Sequence, residues 1–350
     1  MQRGLVSIII PHYNGIDILS DCLTSLLKST YKRKEIVIVD NGSTDGSVAF
    51  VRTHFPSVRI FQSTTNLGYA GGCMYGVPKT NGEFVVFLNN DTTVDKRWLE
   101  PLVKAAKQSS VAICQPKILA LRNPSSFEYA GAAGGYMDIY GYPFCRGRVF
   151  DTIEEDKGQY NSTVPIFWAS GTCLFMKRSI LDKIGGFDSS FFMYYEEEDL
   201  CWRAHLQGYQ VLFVHQSKIY HYGEKTASRY RFRKYYYFHR NHTFFLVKNY
   251  SFPLLLRVLP VKFLLDLVMI PYFIFHGHFK RAAALSLALL WPLFHISTLL
   301  RHRRATQSLR NVSDSTILRY LYHKSLAVSY FLLRKRVFTD YSQSLEAYRN

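Results

Sequence analysis

Three polar residues, Asn89, Asn90 and Asp91, directly follow an apolar run over residues 84–88. The run predicts a buried strand, because it is short, apolar and rich in Val and Phe. In open α/β sheets, ligands bind beyond the carboxyl ends of the strands. A carboxylate at such an edge is a hard oxygen ligand for Mg²⁺ or Mn²⁺, and such ions commonly bridge to substrate phosphates. The stretch therefore predicts the metal-binding edge of a nucleotide pocket, with Asp91 as the ligand.

A second chemical feature is a run of four acids, Glu196, Glu197, Glu198 and Asp199. A solvated charge run is the ordinary interpretation of such a stretch. Here the acids stand between the aromatic residues 191–195 and an apolar helical pattern, which weakens that interpretation. Carboxylates that are crowded into a partly dry site have raised pKa values, and this suits a general base. The run therefore indicates a site that accepts a proton.

A single histidine, His221, lies shortly after a predicted strand over residues 211–214. A neutral imidazole at that position could complete the metal shell that Asp91 begins. Single histidines are also common as packing or hydrogen-bonding residues, and the spacing alone does not decide between these roles.

Two polar loops precede these features. In residues 40–46, Asp40 is placed to accept hydrogen bonds from a nucleobase or ribose, and Asp45 either does the same or caps the next helix. Residues 66–72 are rich in glycine. These glycines either let a diphosphate approach the backbone or form a plain turn, since the loop lacks the GxGxxG pattern. They are Gly68, Gly71 and Gly72.

The apolar periodicity predicts buried strands that alternate with helices in the first 110 residues, which indicates a parallel α/β sheet with right-handed crossovers. These strands cover residues 6–10, 35–39, 58–61 and 84–88, and the helices include 18–27 and 47–54. Further strands are predicted at 111–115, 167–176 and 211–214, with hairpins or a substrate-facing loop at 129–150.

The net charge of +17 is unevenly placed along the 350 residues. Residues 1–214 hold 21 basic and 21 acidic side chains, whereas residues 215–350 hold 22 basic and 5 acidic ones. This excess predicts an anionic partner for the C-terminal part, either nucleic acid or acidic lipid headgroups. The six cysteines form no CxxC pair, which is typical of reduced cytosolic thiols. The first apolar run is too short for a secretory signal.

Residues 226–350 are predicted to form a helical region that associates with a membrane. Residues 229–240 interleave cations and aromatic rings, as membrane-interface helices and nucleic-acid patches both do. Of two apolar stretches that follow, residues 254–275 carry charges and two prolines and predict a poor membrane span. Residues 282–300 carry no charge over 19 positions but contain Pro292 and His295. Helices that lie in the interface of an anionic membrane are favoured, and the tail is predicted to pack back on the protein or to form homo-oligomers.

The motifs over residues 5–245 resemble those of the family 2 glycosyltransferases, which have the GT-A fold, and especially of bacterial rhamnosyltransferase-like members. Each motif is weak alone, but their order and spacing over two thirds of the chain are specific. The motifs are SIIIPHYN at 7–14, VDNGSTDG at 39–46, NLGYAGG at 66–72, LNND at 88–91, SG at 170–171, GGFD at 185–188, YEEEDLCWR at 195–203 and YH at 220–221.

The resemblance implies a GT-A domain over residues 1–225, with a Rossmann-like, mostly parallel central sheet flanked by helices. The donor half would cover residues 1–110 and the acceptor half residues 111–225. The implied activity is an inverting hexosyl transfer that depends on Mg²⁺ or Mn²⁺. The donor would be a nucleoside diphosphate sugar, with dTDP-rhamnose favoured and UDP-hexoses next. The acceptor would be a lipid-linked glycan or a cell-surface polysaccharide. The protein would lie at the cytoplasmic face of the cell membrane as a peripheral or monotopic protein.

The resemblance also assigns roles to residues, with Asp91 and His221 as the metal ligands. The donor-binding residues would be Pro11, Tyr13, Asn14, Asp40, Asn41, Ser43, Asn66, Gly68, Gly71, Asn89 and Asn90. Contacts to the acceptor or the sugar would come from Trp168, Ser170, Gly171, Asp199 and Arg203. For Asp199, orientation of Arg203 or capping of its helix is a further expectation.

The acidic motif departs from the family pattern. The family usually has Glu-Asp at its start, with the Asp as catalytic base, whereas this chain has Glu196-Glu197. Glu197 is therefore predicted to be the base, with Glu196 as the second choice. The departure keeps open a non-catalytic nucleotide-sugar-binding or lipid-binding protein of the same fold. A nucleic-acid-binding protein is a third alternative, but no known nucleic-acid motif is present, so no nucleic-acid partner is expected.

Overall fold

The computed structural model describes residues 1–223 and 231–347. Its N-terminal part alternates strands and helices, as the periodicity predicts. These elements are β1 (Gln2–His12), α1 (Ile16–Leu27), β2 (Lys34–Asp40), α2 (Ser47–His54), β3 (Arg59–Gln62), α3 (Gly68–Gly76), β4 (Gly82–Leu88), β5 (Thr92–Val94) and α4 (Leu99–Ala106).

The middle part is richer in strands. Its elements are β6 (Val111–Ala120), β7 (Asn123–Phe127), β8 (Gly135–Asp138), β9 (Pro143–Cys145), β10 (Arg148–Val149), β11 (Thr152–Ile153), β12 (Val164–Ile166), β13 (Cys173–Lys177), α5 (Arg178–Ile184), α6 (Glu196–Leu206) and β14 (Gln210–His221). The hairpins predicted within residues 129–150 are present as β8–β10. The strand predicted at 167–176 is wrong in its first half. There, the Ala169 and Ser170 amides bond to the side chains of Cys201 and Gln115 instead of to a neighbouring strand.

The C-terminal part is mainly helical, as expected. It consists of α7 (Arg231–Asn249), α8 (Phe252–Phe275), α9 (Phe279–Phe294), α10 (Ile296–Gln307), α11 (Asp314–Leu318), β15 (Leu321–Tyr322), α12 (Leu326–Phe331) and α13 (Thr339–Ala347). Residues 229 and 230 of the predicted basic, aromatic stretch lie outside the described residues, and so does the predicted domain boundary at residue 225.

The central sheet has the strand order β12-β14-β6-β13-β4-β1-β2-β3, with β5 paired to β14 and β7 to β6. The strands β1 to β4 pair in parallel, but β13 runs antiparallel between β4 and β6. The sheet is therefore mixed and not mostly parallel. The reason is that β13 follows a β-rich excursion instead of a crossover helix, which a parallel entry requires.

Both faces of the parallel strands are buried, because successive side chains of a strand point to opposite faces. Ile8 and Ile10 belong to one apolar cluster, whereas Ile9 belongs to the other. The second cluster also contains Phe244 and Tyr341 of the C-terminal part. In addition, β15 completes a small five-stranded sheet of order β11-β10-β9-β8-β15. The C-terminal part and the preceding residues thus share one hydrophobic core.

Among the described helices, α8 alone is long and apolar enough to cross a membrane. It continues through Pro260 and Pro271. The apolar stretch at 282–300 instead breaks at His295, where α9 and α10 meet at a bend of 76°. The sequence favoured residues 282–300 over residues 254–275 as a membrane span, whereas in the structure α8 is the longer continuous apolar helix. Local sequence did not reveal this, because the prolines that interrupt α8 in sequence do not end its helix.

Candidate active site

The ends of β1 and β2 lie side by side, with His12 in register with Asp40. The Asp40 carboxylate is buried and accepts a hydrogen bond from the Ser43 amide at 3.2 Å. Asn90 Nδ2 lies 2.8 Å from His12 Nδ1. Burial outweighs the nearby carboxylates Asp40 and Asp45 and lowers the pKa of His12. The predicted donor residues Pro11 and Tyr13 flank His12, with Pro11 buried and Tyr13 exposed.

The loop after β2 is fixed by Asn14. Its amide donates to Ser43 Oγ at 2.9 Å, and its side-chain oxygen accepts from the Thr44 amide at 2.8 Å. Asp45 accepts from the Gly15 amide at 2.6 Å and from the Ser47 amide at 3.1 Å. Because Ser47 begins α2, the contact with its amide matches the capping interpretation of Asp45, whereas the contact with Gly15 ties Asp45 to the start of α1.

The glycine-rich turn packs closely against protein atoms. Asn66 accepts a hydrogen bond from the Gly68 amide at 2.9 Å, and Gly68 has a φ of +70°. A Cβ on Gly68 would lie 2.8 Å from the Phe192 carbonyl oxygen, and one on Gly72 would lie 3.0 Å from the Asn41 side chain. A Cβ on Gly71 would lie 2.9 Å from Leu67. Close packing thus explains why glycine is needed here, and backbone contact with a diphosphate stays a prediction.

Asp91 and His221 meet at the end of the sheet. Strand β5 pairs with β14 so that Thr92 faces His221, and the Tyr222 amide donates to the Asp91 carbonyl at 3.0 Å. His221 Nε2 lies 3.1 Å from Asp91 Oδ1. On the other side of the ring, Nδ1 lies 3.5 Å from Glu128 Oε1. Burial acts to lower the pKa of His221, but the two carboxylates outweigh it and raise the pKa to about 9.

These residues fit a divalent cation. Asp91 Oδ1 and both ring nitrogens of His221 are buried and lack partners with hydrogen-bond geometry. Asp91 Oδ1 and His221 Nε2 lie 3.1 Å apart, so both atoms could hold the same ion. Within the described residues, no group of three or more His, Cys, Asp or Glu side chains could hold a metal ion. A site with two protein ligands suits an ion that is also held by substrate phosphates.

The four acids begin α6 but differ in exposure. Glu196, Glu198 and Asp199 are buried, whereas Glu197 is half-buried. Glu197 Oε1 accepts from the Gly171 amide at 3.3 Å, and its Oε2 has no hydrogen-bond partner. Burial raises the pKa of Glu197, and burial with repulsion from Glu197 raises the pKa values of Glu196 and Glu198. Glu197 is therefore the only half-buried acid of this run, although its Oε2, like those of Glu196 and Glu198, is itself buried and unpaired.

The Ser170–Gly171 turn links these groups. The Asn89 amide donates to the Thr172 carbonyl at 3.0 Å, next to the Gly171 amide that holds Glu197. A fully buried Gln115 accepts from the Ser170 amide at 2.8 Å and donates to the Gly131 carbonyl at 3.0 Å. The strand end that carries Asp91 and the helix that carries Glu197 are thus joined through one turn.

The backbone before α6 is strained, because Phe192, Tyr194 and Tyr195 have φ values of +63°, +67° and +70°. Asn241 of α7 holds this turn. Its Nδ2 donates to the carbonyls of Phe191, Met193 and Tyr194 at 2.8, 2.6 and 2.9 Å. A helix of the C-terminal part therefore holds the turn that precedes the four acids of α6.

Asp199 and Arg203 were predicted to contact an acceptor, but both side chains bond to other groups of the protein. Asp199 is fully buried and accepts from Arg203 Nε at 2.9 Å, Lys248 Nζ at 3.0 Å and Asn249 Nδ2 at 2.9 Å. Arg203 also donates to the Gly186 carbonyl at 2.7 Å. The further expectation that Asp199 orients Arg203 matches these contacts. Trp168 is also buried, and its indole donates to the Tyr136 carbonyl at 2.7 Å, so its side chain packs in the core.

Three residues of this site were missed from the sequence. Glu128 contacts His221, Gln115 joins two loops, and Asn241 fixes the turn before the acids. None stands in a motif, and each acts on residues that are distant in the chain. Only Glu128 has a signal in the sequence, since it directly precedes the hairpins or substrate-facing loop predicted at 129–150.

Comparisons with known proteins identify the family and the fold of the chain. The model of the glycosyl transferase family 2 matches residues 7–185. The chain is 26% identical over 225 residues to the N-acetylglucosaminyl-diphospho-decaprenol L-rhamnosyltransferase of Mycobacterium tuberculosis, covering 59% of this chain and 72% of that one. It is 28% identical over 233 residues to the O-antigen biosynthesis protein RfbC of Myxococcus xanthus, covering 64% of this chain but 18% of that one.

Two solved structures share the fold. One is GalNAc-T7 with UDP, GalNAc and Mn²⁺, with a TM-score of 0.55, 17% identity, and coverage of 71% of this chain and 48% of that one. The other is the mannosyltransferase PcManGT of Pyrobaculum calidifontis with GDP-Man and Mn²⁺, with a TM-score of 0.51, 17% identity, and coverage of 95% and 88%.

The fold and the matched motifs define a glycosyltransferase of the GT-A type, as the sequence predicts. The chain belongs to glycosyl transferase family 2.

Proposed function

We propose that this enzyme transfers a sugar, with inversion, from a nucleoside diphosphate sugar to an acceptor hydroxyl on a lipid-linked glycan or cell-surface polysaccharide. The observation that carries the proposal is the joining of the Asp91–His221 pair and Glu197 through the Ser170–Gly171 turn. This arrangement supports the proposal, because the Asp91–His221 pair and Glu197 lie on the two sides of one turn.

Asp91 and His221 would hold Mg²⁺ or Mn²⁺, which offsets the negative charge that grows on the departing diphosphate. Asp40 and the loop fixed by Asn14 would bind the nucleoside, with the donor-binding residues assigned above. Glu197 would take the proton from the acceptor hydroxyl as the hydroxyl oxygen attacks the anomeric carbon. One displacement needs one base, and Glu196 remains the second candidate.

The donor favoured is dTDP-rhamnose, with UDP-hexoses next. The mycobacterial relative is an N-acetylglucosaminyl-diphospho-decaprenol L-rhamnosyltransferase, which supports a rhamnosyl donor and a lipid-linked acceptor. Ser170 and Gly171 are the predicted acceptor contacts that border Glu197.

We further propose that the C-terminal helices bind the anionic cytoplasmic face of a membrane as a monotopic surface. Leu264, Val268 and Phe275 of α8 are 62%, 66% and 88% exposed, and exposed apolar side chains continue through α9. Between residues 225 and 313, Asp266 is the only acid among 15 basic residues. We also propose that homo-oligomers form through contacts of this region.

The function is tested by a thermal-shift panel of nucleotide sugars with Mn²⁺, because a bound donor stabilises the folded state. We expect stabilisation by dTDP-rhamnose or a UDP-hexose, and loss of its Mn²⁺ dependence in Asp91→Ala. Asp95→Ala, on the same chain segment but outside the metal site, is the matched control. Unchanged metal dependence in Asp91→Ala would reject the metal assignment. Donor binding without any hydrolysis or transfer would favour the non-catalytic alternative.

A further inference from the structure

Glu128 lies against His221 on the side of the ring opposite to Asp91. Its Oε1 is 3.5 Å from His221 Nδ1, while Asp91 Oδ1 is 3.1 Å from Nε2. The side chains of His221 and Glu128 are 9% and 11% exposed. The three groups thus form a buried row of carboxylate, imidazole and carboxylate.

The sheet holds this row in place. The Glu128 amide donates to the Ile118 carbonyl at 3.1 Å, directly after β7 pairs with β6. On the other edge of β6, the Leu121 amide donates to the His221 carbonyl at 2.9 Å. Strand β6 therefore fixes the distance between Glu128 and His221 through backbone contacts on both sides.

We propose that Glu128 is a positioning residue that orients His221 as a metal ligand, an assignment that rests on the proposed metal site. A carboxylate 3.5 Å from Nδ1 favours the tautomer that carries its proton on that nitrogen. The lone pair of Nε2 then faces Asp91, where the cation would bind. Metal-bound histidines usually donate their second ring nitrogen to such a group, and its loss commonly weakens metal affinity by about 10- to 100-fold.

The alternative is that Glu128 only stabilises the packing of β6 against β14. The two roles differ in what they change. If Glu128 only packs the strands, its substitution would lower the thermal stability without changing the metal affinity or the ring tautomer of His221. If Glu128 positions His221, its substitution would change both the metal affinity and the tautomer.

The test measures Mn²⁺ affinity by electron paramagnetic resonance, using the full chain with UDP and, in parallel, with dTDP. We expect Glu128→Ala to weaken Mn²⁺ binding by about tenfold or more. Glu128→Gln should fall between this variant and the wild type, because its amide oxygen still accepts a hydrogen bond but lacks the charge. Glu154→Gln is the matched control, since Glu154 is half-buried near the same sheet and contacts Tyr160 and Phe338 instead of His221.

A second readout is the tautomer of His221 in a long-range proton–nitrogen spectrum with Mg²⁺ and the same nucleotides. We expect one tautomer, protonated at Nδ1, in the wild type and a mixture in Glu128→Ala. Wild-type affinity and tautomer in Glu128→Ala, with binding lost in Asp91→Ala, would overturn the role of Glu128 alone. Absence of nucleotide-dependent Mn²⁺ binding in the wild type would overturn the metal site itself, and the role of Glu128 with it.

Discussion

At the scale of single residues, exposure separates the four acids that the sequence presents as one run. Glu197 is half-buried and faces the Ser170–Gly171 turn, whereas the acids beside it are buried. A base must reach its substrate, so this difference favours Glu197 over Glu196.

Glu197→Gln should therefore retain donor binding and lose transfer by about 100-fold or more. Because burial raises the pKa of Glu197, the wild-type rate should rise with pH as that carboxyl loses its proton, and this limb should be absent in the variant. The measurements are donor affinity and a pH profile of kcat/KM. Glu196→Gln is the control, and a larger loss of transfer in that variant than in Glu197→Gln would reassign the base.

At the scale of elements, α7 and α8 connect the outer surface to the site. Asn241 of α7 holds the turn before the acids. Lys262 of α8 donates to Thr243 of α7 at 2.5 Å and pairs with Asp266 at 2.5 Å. The side chains of Lys262 and Asp266 are 2% and 3% exposed, so one face of α8 is anchored in the protein while the opposite face stays exposed.

Breaking this pair should loosen α8. Lys262→Met leaves the Asp266 charge buried without its partner, which should destabilise the protein by about 3–5 kcal/mol. The double variant Lys262→Met/Asp266→Leu should recover most of this loss, because no uncompensated charge remains. Urea unfolding of the wild type and the three variants, including Asp266→Leu, measures the coupling. Additive effects of the two single substitutions would show that the pair does not anchor the helix.

At the scale of the whole molecule, charge and exposed apolar surface are unevenly distributed along the chain. Its first 214 residues balance their charges, and its C-terminal part combines a basic excess with exposed apolar helices. The two parts nevertheless share a hydrophobic core. A bilayer that receives the apolar face of α8 and α9 would hold the active site beside a lipid-linked acceptor.

The triple variant Leu264→Ser/Val268→Ser/Phe275→Ser should weaken binding to phosphatidylglycerol vesicles by about tenfold or more, since it removes apolar area from one face of α8. Vesicle sedimentation measures this, and added salt should weaken binding further. The control is Leu27→Ser/Tyr75→Ser/Ile153→Ser, at exposed positions outside the C-terminal helices. Wild-type binding by the first variant would reject this face. Loss of a homo-oligomer of the wild type would instead identify it as a contact between copies of the chain, and stronger binding to DNA than to vesicles would favour a nucleic-acid partner.

The sequence by itself determined the alternation of strands and helices in the first 110 residues, the polar ends of β2 and β4, and the family. These follow from local patterns. A buried strand is a short apolar run in the sequence, and a ligand-binding edge begins where that run ends. Helix α2 lies at the predicted residues, and the other N-terminal elements differ mainly at their ends.

Only the tertiary structure decided the antiparallel entry of β13, the exposure of Glu197 among its neighbours, the burial of Asp199 and the position of Glu128 beside His221. Glu128 and His221 lie 93 positions apart in the chain, and both are placed by backbone pairing along β6. Register and packing between distant segments choose such partners. A local sequence pattern records which side chains are buried, but not what they are buried against.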